Sequence, residues 1–323
     1  MSWRGMVSAV VVVGVLATLT GAVWTLRSGE DAPSDALVET PVDYVALGDS
    51  YSAGPLIPVV REDAPGCFRS TNNYPAYLAG LLDVASYTDA TCSGASTRDV
   101  THRQPSMLGG TRPRPQADAL SERTDLVTVG LGGNDFGLFG SISGGCREGF
   151  SWRSASAPCR DAFVDATGRD TKARDARRIR GTLRAALEEV RDRAPDADVY
   201  VVGYPRLLPE TGSCAAAGLT AGDAAWARGI EALLNRSVRT AAEDVGATYV
   251  DLYPASRGHD ICAGRDAWVN GRRLRLGVAL SYHPFEVGMR EAARVVYAAV
   301  TGEEAPDVEG GAAPPAEAVV PSG

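Results

Sequence analysis

The stretch Val42-Asp43-Tyr44-Val45-Ala46-Leu47-Gly48-Asp49-Ser50-Tyr51-Ser52-Ala53-Gly54 decides how the rest of the chain is read. Apolar and β-branched residues run straight into Gly48, and the small residues after Ser50 break the pattern. A strand over 43–47 is therefore predicted to end at a sharp turn that presents a hydroxyl. Gly-Asp-Ser alone reads as a β-turn closed by its own side chains, and it is the downstream context that reverses this reading. As a nucleophile, Ser50 requires a general base within hydrogen-bond reach and donors for an oxyanion. Candidates lie downstream: Leu126-Val127-Thr128-Val129 leads to Gly132-Gly133-Asn134-Asp135, and Ser281-Tyr282-His283-Pro284 stands near the C-terminus.

A strand ending in Gly48-Asp49-Ser50, a second ending in Gly132-Gly133-Asn134-Asp135 and a late His283-Pro284, with Gly94 between them, resemble as an ordered set the SGNH, or GDSL-type, serine hydrolase family. The resemblance is to its secreted actinobacterial esterase/lipase branch, and it spans residues 43 to 300 or so. It implies an α/β fold: a three-layer α/β/α sandwich around a central, mostly parallel, five-stranded flavodoxin-like sheet. It also implies that Ser50 attacks a carboxylic ester, that His283 is the base, and that the N–H of Ser50, the N–H of Gly94 and the side chain of Asn134 bind the oxyanion. No metal or cofactor is needed for that chemistry, and the expected partner is a small-molecule or lipid ester. The family also contains phospholipases, carbohydrate O-deacetylases and thioesterases. A reading of another class, a non-catalytic cell-envelope binding protein on a hydrolase fold, is opposed by the presence of all four motif positions.

Each motif residue also has a plain structural reading. Gly94, in Cys92-Ser93-Gly94-Ala95, is equally an ordinary loop glycine, although its missing Cβ leaves the N–H open to a ligand. Asn134 in a Gly-Gly-Asn-Asp sequence is a common turn former, yet its amide is a neutral donor suited to developing negative charge. Asp135 is read as a brace for the loop. The motif at Ser50 departs from the Gly-x-Ser-x-Gly elbow of α/β-hydrolases, because Ser52 stands two residues after it.

Three histidines compete for the role of base. His102 sits in a polar loop and is read as a surface residue; His259 adjoins Asp260 beside Cys262. His283 precedes Pro284 and a terminal apolar helix running to about Val300, which fixes a loop at the sheet's C-terminal edge. The family often has an Asp three residues before this His, but here that position is Leu280. The backbone carbonyl of Leu280 or of Ser281, or a distant Asp260, is left to orient the imidazole.

A chain of 323 residues with 45% hydrophobic content can bury one sizeable α/β core. It shows no internal repeat or central linker, so one domain is expected, and the chain is expected to be a monomer. Its net charge of −8, with Lys172 the sole lysine, excludes a surface built for nucleic acid. Residues Met6 to Leu26 form an apolar run after Arg4, and two readings of 1–27 stand. One is a signal peptide cleaved near Thr20-Gly21-Ala22, the other an N-terminal membrane anchor followed by Arg27. Either reading exports the folded part, secreting it or tethering it to the outer face of the membrane. Residues 28–41 read as a linker, 42–302 as the hydrolase domain and 303–323 as a disordered tail too poor in large apolar groups to pack.

Six cysteines, Cys67, Cys92, Cys146, Cys159, Cys214 and Cys262, all lie in that exported part and include no Cys-x-x-Cys pair. Disulfides are therefore expected rather than zinc, with 15 connectivities open from spacing alone. The family resemblance implies sequential pairing.

Along the chain, helical spacing marks 74–82, 170–193 and 221–245, and strands are predicted over 84–90, 125–130, 198–204 and 248–252. Alternation of this kind argues for a parallel sheet covered on both faces. Phe136 to Arg160 is dense in Gly and Ser and reads as a long loop, with Phe139 and Trp152 as candidates to line an acyl pocket.

Overall fold

The computed structural model describes residues 42–63, 66–105, 112–146 and 151–307. The apolar segment 1–27, the linker 28–41 and the tail beyond 307 lie outside the described residues.

Five strands, β1 (Asp43–Gly48), β2 (Ser86–Asp89), β3 (Leu126–Gly130), β4 (Asp198–Val202) and β5 (Thr248–Val250), form one sheet in the order β2-β1-β3-β4-β5. Every pairing is parallel. Strands covered on both faces need apolar residues at consecutive positions, and Tyr44 to Leu47 and Leu126 to Val129 supply them. Side chains alternate between the two layers of core. Val45, Leu47, Val127, Val129, Val199 and Val201 pack under α5 (Thr171–Arg193) and α6 (Ala221–Asp244). Tyr44, Ala46, Leu126, Tyr200 and Val202 pack under α2 (Tyr74–Leu81) and α8 (Glu286–Thr301). The three-layer α/β/α sandwich is thus present, and its sheet is wholly parallel.

Local sequence sets the helix boundaries. Asn73, Asp170 and Thr220 cap α2, α5 and α6 by accepting from the N–H groups of Ala76, Ala173 and Asp223 at 3.0, 2.9 and 2.9 Å. Along α5, Ile179, Leu183, Leu187 and Val190 are buried, the stripe expected of an amphipathic helix.

The strand order reverses between β1 and β3, and a crevice at the carboxyl ends of such strands is where doubly wound sheets hold ligands. Here Gly48 pairs with Gly130, so the chain leaves both strands at the same level. A Cβ at Gly48 or Gly130 would stand 2.3 or 2.4 Å from the Ser52 hydroxyl, so both positions exclude any larger residue. The side-chain amide of Gln116 pairs with the backbone of Gly48, donating to its carbonyl and accepting from its N–H at 2.9 and 2.8 Å.

Several elements depart from expectation. The strand predicted to reach 204 stops at Val202, and that predicted to reach 252 stops at Val250, because Asp251 caps α7 (Leu252–Ala255). The segment 136–160 is not a plain loop. After a 3-10 turn at Asp135–Gly137 come α3 (Leu138–Gly145) and, past the undescribed 147–150, α4 (Pro158–Ala162). Burial of Leu138 and packing of Ile142 on the neighbouring cores outweigh the poor helix propensity of the glycines. The first residues past 302 are docked: Ala305 is buried and Arg294 holds Asp307 at 2.7 Å.

Disulfides join Cys67 to Cys92, Cys146 to Cys159 and Cys214 to Cys262, the sequential order that the resemblance implied. The last two border a third apolar cluster, with Leu208, Leu219, Ile261, Trp268 and Tyr282, beyond the carboxyl edge of the sheet. Among the described residues no helix is long and apolar enough to cross a membrane.

Candidate active site

Ser50 is the first residue of the short helix α1 (Ser50–Ala53), immediately past the end of β1. Asp49 caps that helix: its carboxylate accepts from Tyr51 N–H at 2.8 Å, and its own N–H donates to Gly130 at 2.9 Å. The turn is thereby bonded to both central strands. His283, far along the chain, reaches it from the segment before α8, with Nε2 2.8 Å from Ser50 Oγ. Its Nδ1 lies 2.8 Å from the Ser281 carbonyl. A carbonyl can only accept, so the ring proton sits on Nδ1 and Nε2 is bare toward the serine hydroxyl. Of the three groups considered for orienting the ring, the Ser281 carbonyl meets it. Leu280 O instead accepts from His283 N–H at 3.2 Å, and Asp260 accepts from Cys262 N–H at 2.8 Å.

Both partners are buried, Ser50 at 6% exposure and His283 at 4%. Burial pushes the imidazole down to about 4, against a smaller opposing effect of the Ser281 bond. The ring is therefore neutral near pH 7 and able to accept a proton. It rests against Tyr51 and Phe139, whose centroids lie 5.2 and 5.3 Å from its own.

Asn134 leaves β3 through Gly132, whose φ of 123° is a backbone conformation suited to glycine. One N–H of the Asn134 amide donates to Ala95 O at 2.9 Å, so the loop carrying Gly94 is tied to that carrying Asn134. Cys92 N–H donates to Gly48 O at 3.0 Å, which seats the same loop beside the Ser50 turn. Asp135 accepts from the Thr97 N–H and hydroxyl at 2.9 and 2.6 Å and from the Thr182 hydroxyl at 2.5 Å, a bracing role. His102 is exposed near Arg98, and His259 stacks on Trp268 at 4.6 Å; neither lines the cavity at Ser50.

Four residues that sequence reasoning did not single out shape the site. The Tyr51 hydroxyl donates to the carbonyl of Tyr282, which has a left-handed φ of 62°. The Tyr204 hydroxyl accepts from Gly133 N–H at 2.7 Å and donates to Asp49 at 2.6 Å, joining the ends of β4, β3 and β1. Burial pushes Asp49 up to about 7, although its bonds from Tyr204 and Tyr51 act the other way. Asn270 fastens the histidine loop, its N–H donating to His283 O at 2.8 Å and its amide to Leu280 O at 3.0 Å. Glu231 lines the cavity; its Oε1 accepts from Leu207 N–H at 2.7 Å, and burial pushes its carboxyl up to about 8.

That cavity opens at Ser50 and Asn134 and spans about 840 Å³ including its open mouth. Leu138, Phe139, Ile142, Leu208, Leu219, Ile230 and Ile261 make it overwhelmingly apolar. Among the described residues no group of His, Cys, Asp and Glu side chains is placed to hold a metal ion.

The family model for the GDSL-like lipase/acylhydrolase family matches residues 46–291, a span holding Ser50, Asn134 and His283. The chain belongs to that family. Among its relatives is "Lipase 2" of Streptomyces coelicolor, 40% identical over 298 residues that cover 90% of this chain and 94% of the relative. Among solved structures, a phospholipase A1 from Streptomyces albidoflavus superimposes with a TM-score of 0.63 at 32% identity, covering 81% of this chain and all of the other. An extracellular lipase from Streptomyces rimosus gives 0.60 at 29%, covering 80% of this chain and 99% of that one. As a GDSL-family member, the protein is a carboxylic ester hydrolase of the lipase/esterase kind.

Proposed function

We propose that the protein hydrolyses lipid-type carboxylic esters through a covalent acyl-enzyme on Ser50. The observation carrying this reading is the 2.8 Å contact of Ser50 Oγ with a His283 Nε2 left unprotonated by the bond from Nδ1 to Ser281. Ser50 Oγ attacks the ester carbonyl as its proton passes to Nε2. The N–H groups of Ser50 and Gly94 meet no acceptor among the described residues, and Asn134 has a second amide N–H beyond the one given to Ala95. These three donors take up the oxyanion charge. The imidazolium then protonates the leaving alcohol, and water repeats the sequence on the acyl-enzyme. A carbonyl stabilises imidazolium less than a carboxylate does, so the catalytic pair is a dyad held by backbone.

The apolar cavity supports a lipid acyl group over a sugar acetate, since a carbohydrate-binding site would need many more polar groups along its wall. Likeness to a phospholipase A1 keeps phospholipid esters among the substrates to be tested. Three disulfides support an oxidising, exported location for the folded part. The test is Ser50→Ala with a fluorophosphonate probe and a panel of p-nitrophenyl esters, triglycerides, phospholipids and acetylated sugars. The wild type should label and hydrolyse the lipid esters; hydrolysis retained by S50A would refute the assignment.

A further inference from the structure

Between Asn270 and Ala279 the chain reads Arg272-Arg273-Leu274-Arg275-Leu276-Gly277-Val278, and all seven residues are exposed. Leu276 is 77% exposed, Leu274 52% and Val278 44%. The loop is nonetheless built. Asn270, itself buried, donates its amide to the carbonyls of Arg273, Ala279 and Leu280, and Arg275 N–H donates to Ala279 O at 3.2 Å. Its tip is therefore held with apolar side chains in water. A second loop adds Val59 at 66% and Val60 at 36%, and the two meet where Leu280 N–H donates to Pro55 O at 3.2 Å. Of the seven large apolar residues this exposed among the described residues, five lie on these two loops. Such clustering marks an interaction surface, whereas scattered exposed leucines mean nothing.

Charge selects the partner. From Ala267 to Phe285 there are three arginines and no carboxylate, in a chain of net charge −8. Arg272 is engaged with Ala215 O at 3.1 Å, while the Arg275 guanidinium lies 5.4 Å from the Phe285 ring centroid. On the second loop the acids Glu62 and Asp63 follow Val60, and Asp63 is paired with Arg61. Apolar side chains alternating with arginine suit the boundary between headgroups and acyl chains of an anionic bilayer.

We propose that the 272–278 loop, flanked by 55–60, is a lipid-adsorption surface. Leu274, Leu276 and Val278 enter the interface while Arg273 and Arg275 meet phosphate headgroups. The inference rests on the ester-hydrolase reading for its purpose: Pro55 closely follows Ser50 and Leu280 closely precedes His283, so adsorption holds the site at its substrate.

All six native cysteines are in disulfides, so Leu276→Cys adds a single thiol for an environment-sensitive nitrobenzoxadiazole dye. The full chain carrying S50A, to spare the lipid, is mixed with vesicles of equal phosphatidylglycerol and phosphatidylcholine. The dye should shift to the blue at 276 and not at a control Arg184→Cys on α5, a difference that anchoring by the N-terminal segment cannot produce. Removing Arg273 and Arg275 (to Ser), or raising salt from about 0.05 to 0.5 M, should raise the lipid needed for half effect about tenfold. In the active chain, the triple change of Leu274, Leu276 and Val278 to Ser should leave turnover of a soluble short-chain ester unchanged and cut that of vesicle-borne ester tenfold or more. No shift at 276, an equal shift with pure phosphatidylcholine, or a lipid-independent shift growing with protein concentration, which would mark a second copy as the occupant, overturns the proposal. A wild type that hydrolyses no ester while the dye still shifts would instead overturn the catalytic reading alone.

Discussion

His283 Nε2 stands 2.8 Å from Ser50 Oγ, and His283 as a whole is 4% exposed. Burial disfavours the charged ring, so its pKa falls to about 4 from an ordinary 6.5. With His283 as the proposed base, which must be neutral to work, activity should fall only as pH drops through the folded value. The acid limb of kcat/KM for a soluble ester is expected near pH 4, leaving the enzyme active at pH 5.5, where an ordinary histidine is mostly protonated. Asp49, adjoining Ser50, titrates near 7, so D49N should move any inflection there and leave the lower limb in place. A single limb at pH 6.5 would count against the burial argument.

The bond from the Tyr51 hydroxyl to Tyr282 O spans 231 positions and fixes the residue just before His283. Tyr51→Phe keeps the ring against His283, Phe139 and Tyr204 but removes the donor. A neutral hydrogen bond contributes about 0.5–1.5 kcal/mol, so kcat should fall by up to about tenfold. KM should stay within about twofold if Tyr51 acts by positioning, with inactivation by a fluorophosphonate slowed in parallel. An unchanged kcat with raised KM would make Tyr51 a substrate contact instead.

Residues whose role follows from local pattern were legible in the sequence, and those defined by distant contacts were not. β1, α5 and the segments delivering Ser50, Asn134 and His283 announce themselves through apolar runs and short motifs. The Ser281 carbonyl that orients His283 belongs to the backbone, which carries no side-chain signature. Tyr204 reaches Asp49 across 155 positions, and Asn270 acts by gathering three carbonyls of one loop. Helix α3 was hidden by its glycines, although Leu138 and Ile142 stand at helical spacing and offered the one available signal.

Glu231 yields a stability prediction with a definite sign. Its carboxyl titrates at about 8 in the fold against an ordinary 4.5, so the native state holds a proton that the unfolded chain has released. Stability from this group is complete below about 4.5 and is lost as pH rises through 8. Asp49 acts in the same direction up to about 7, and His283 in the opposite direction between about 4 and 6.5, so pH 7 to 9 isolates Glu231. In chemical denaturation the wild type should weaken across that interval, while Glu231→Gln should change much less. Parallel curves would mean that the carboxyl is ionised in the fold.

Phe139 and Trp152 looked alike in the sequence, two aromatics in one Gly- and Ser-rich segment, but the structure separates them. The Phe139 ring lines the cavity, edge-on to Tyr51 at 5.8 Å and to His283 at 5.3 Å. Trp152 lies under the Arg153 guanidinium at 4.2 Å and is absent from the cavity wall. Truncating Phe139 to Ala enlarges the space beside Ser50, where one methylene is worth roughly 10- to 200-fold in discrimination. The ratio of kcat/KM for octanoyl over acetyl p-nitrophenyl esters should therefore change at least about tenfold in F139A and less than about twofold in W152A. Because Phe139 also supports the imidazole, the rates themselves should fall for both esters in F139A; only their ratio reports the pocket. If that ratio held constant in F139A, the acyl chain would have to lie elsewhere than in the cavity behind Ser50.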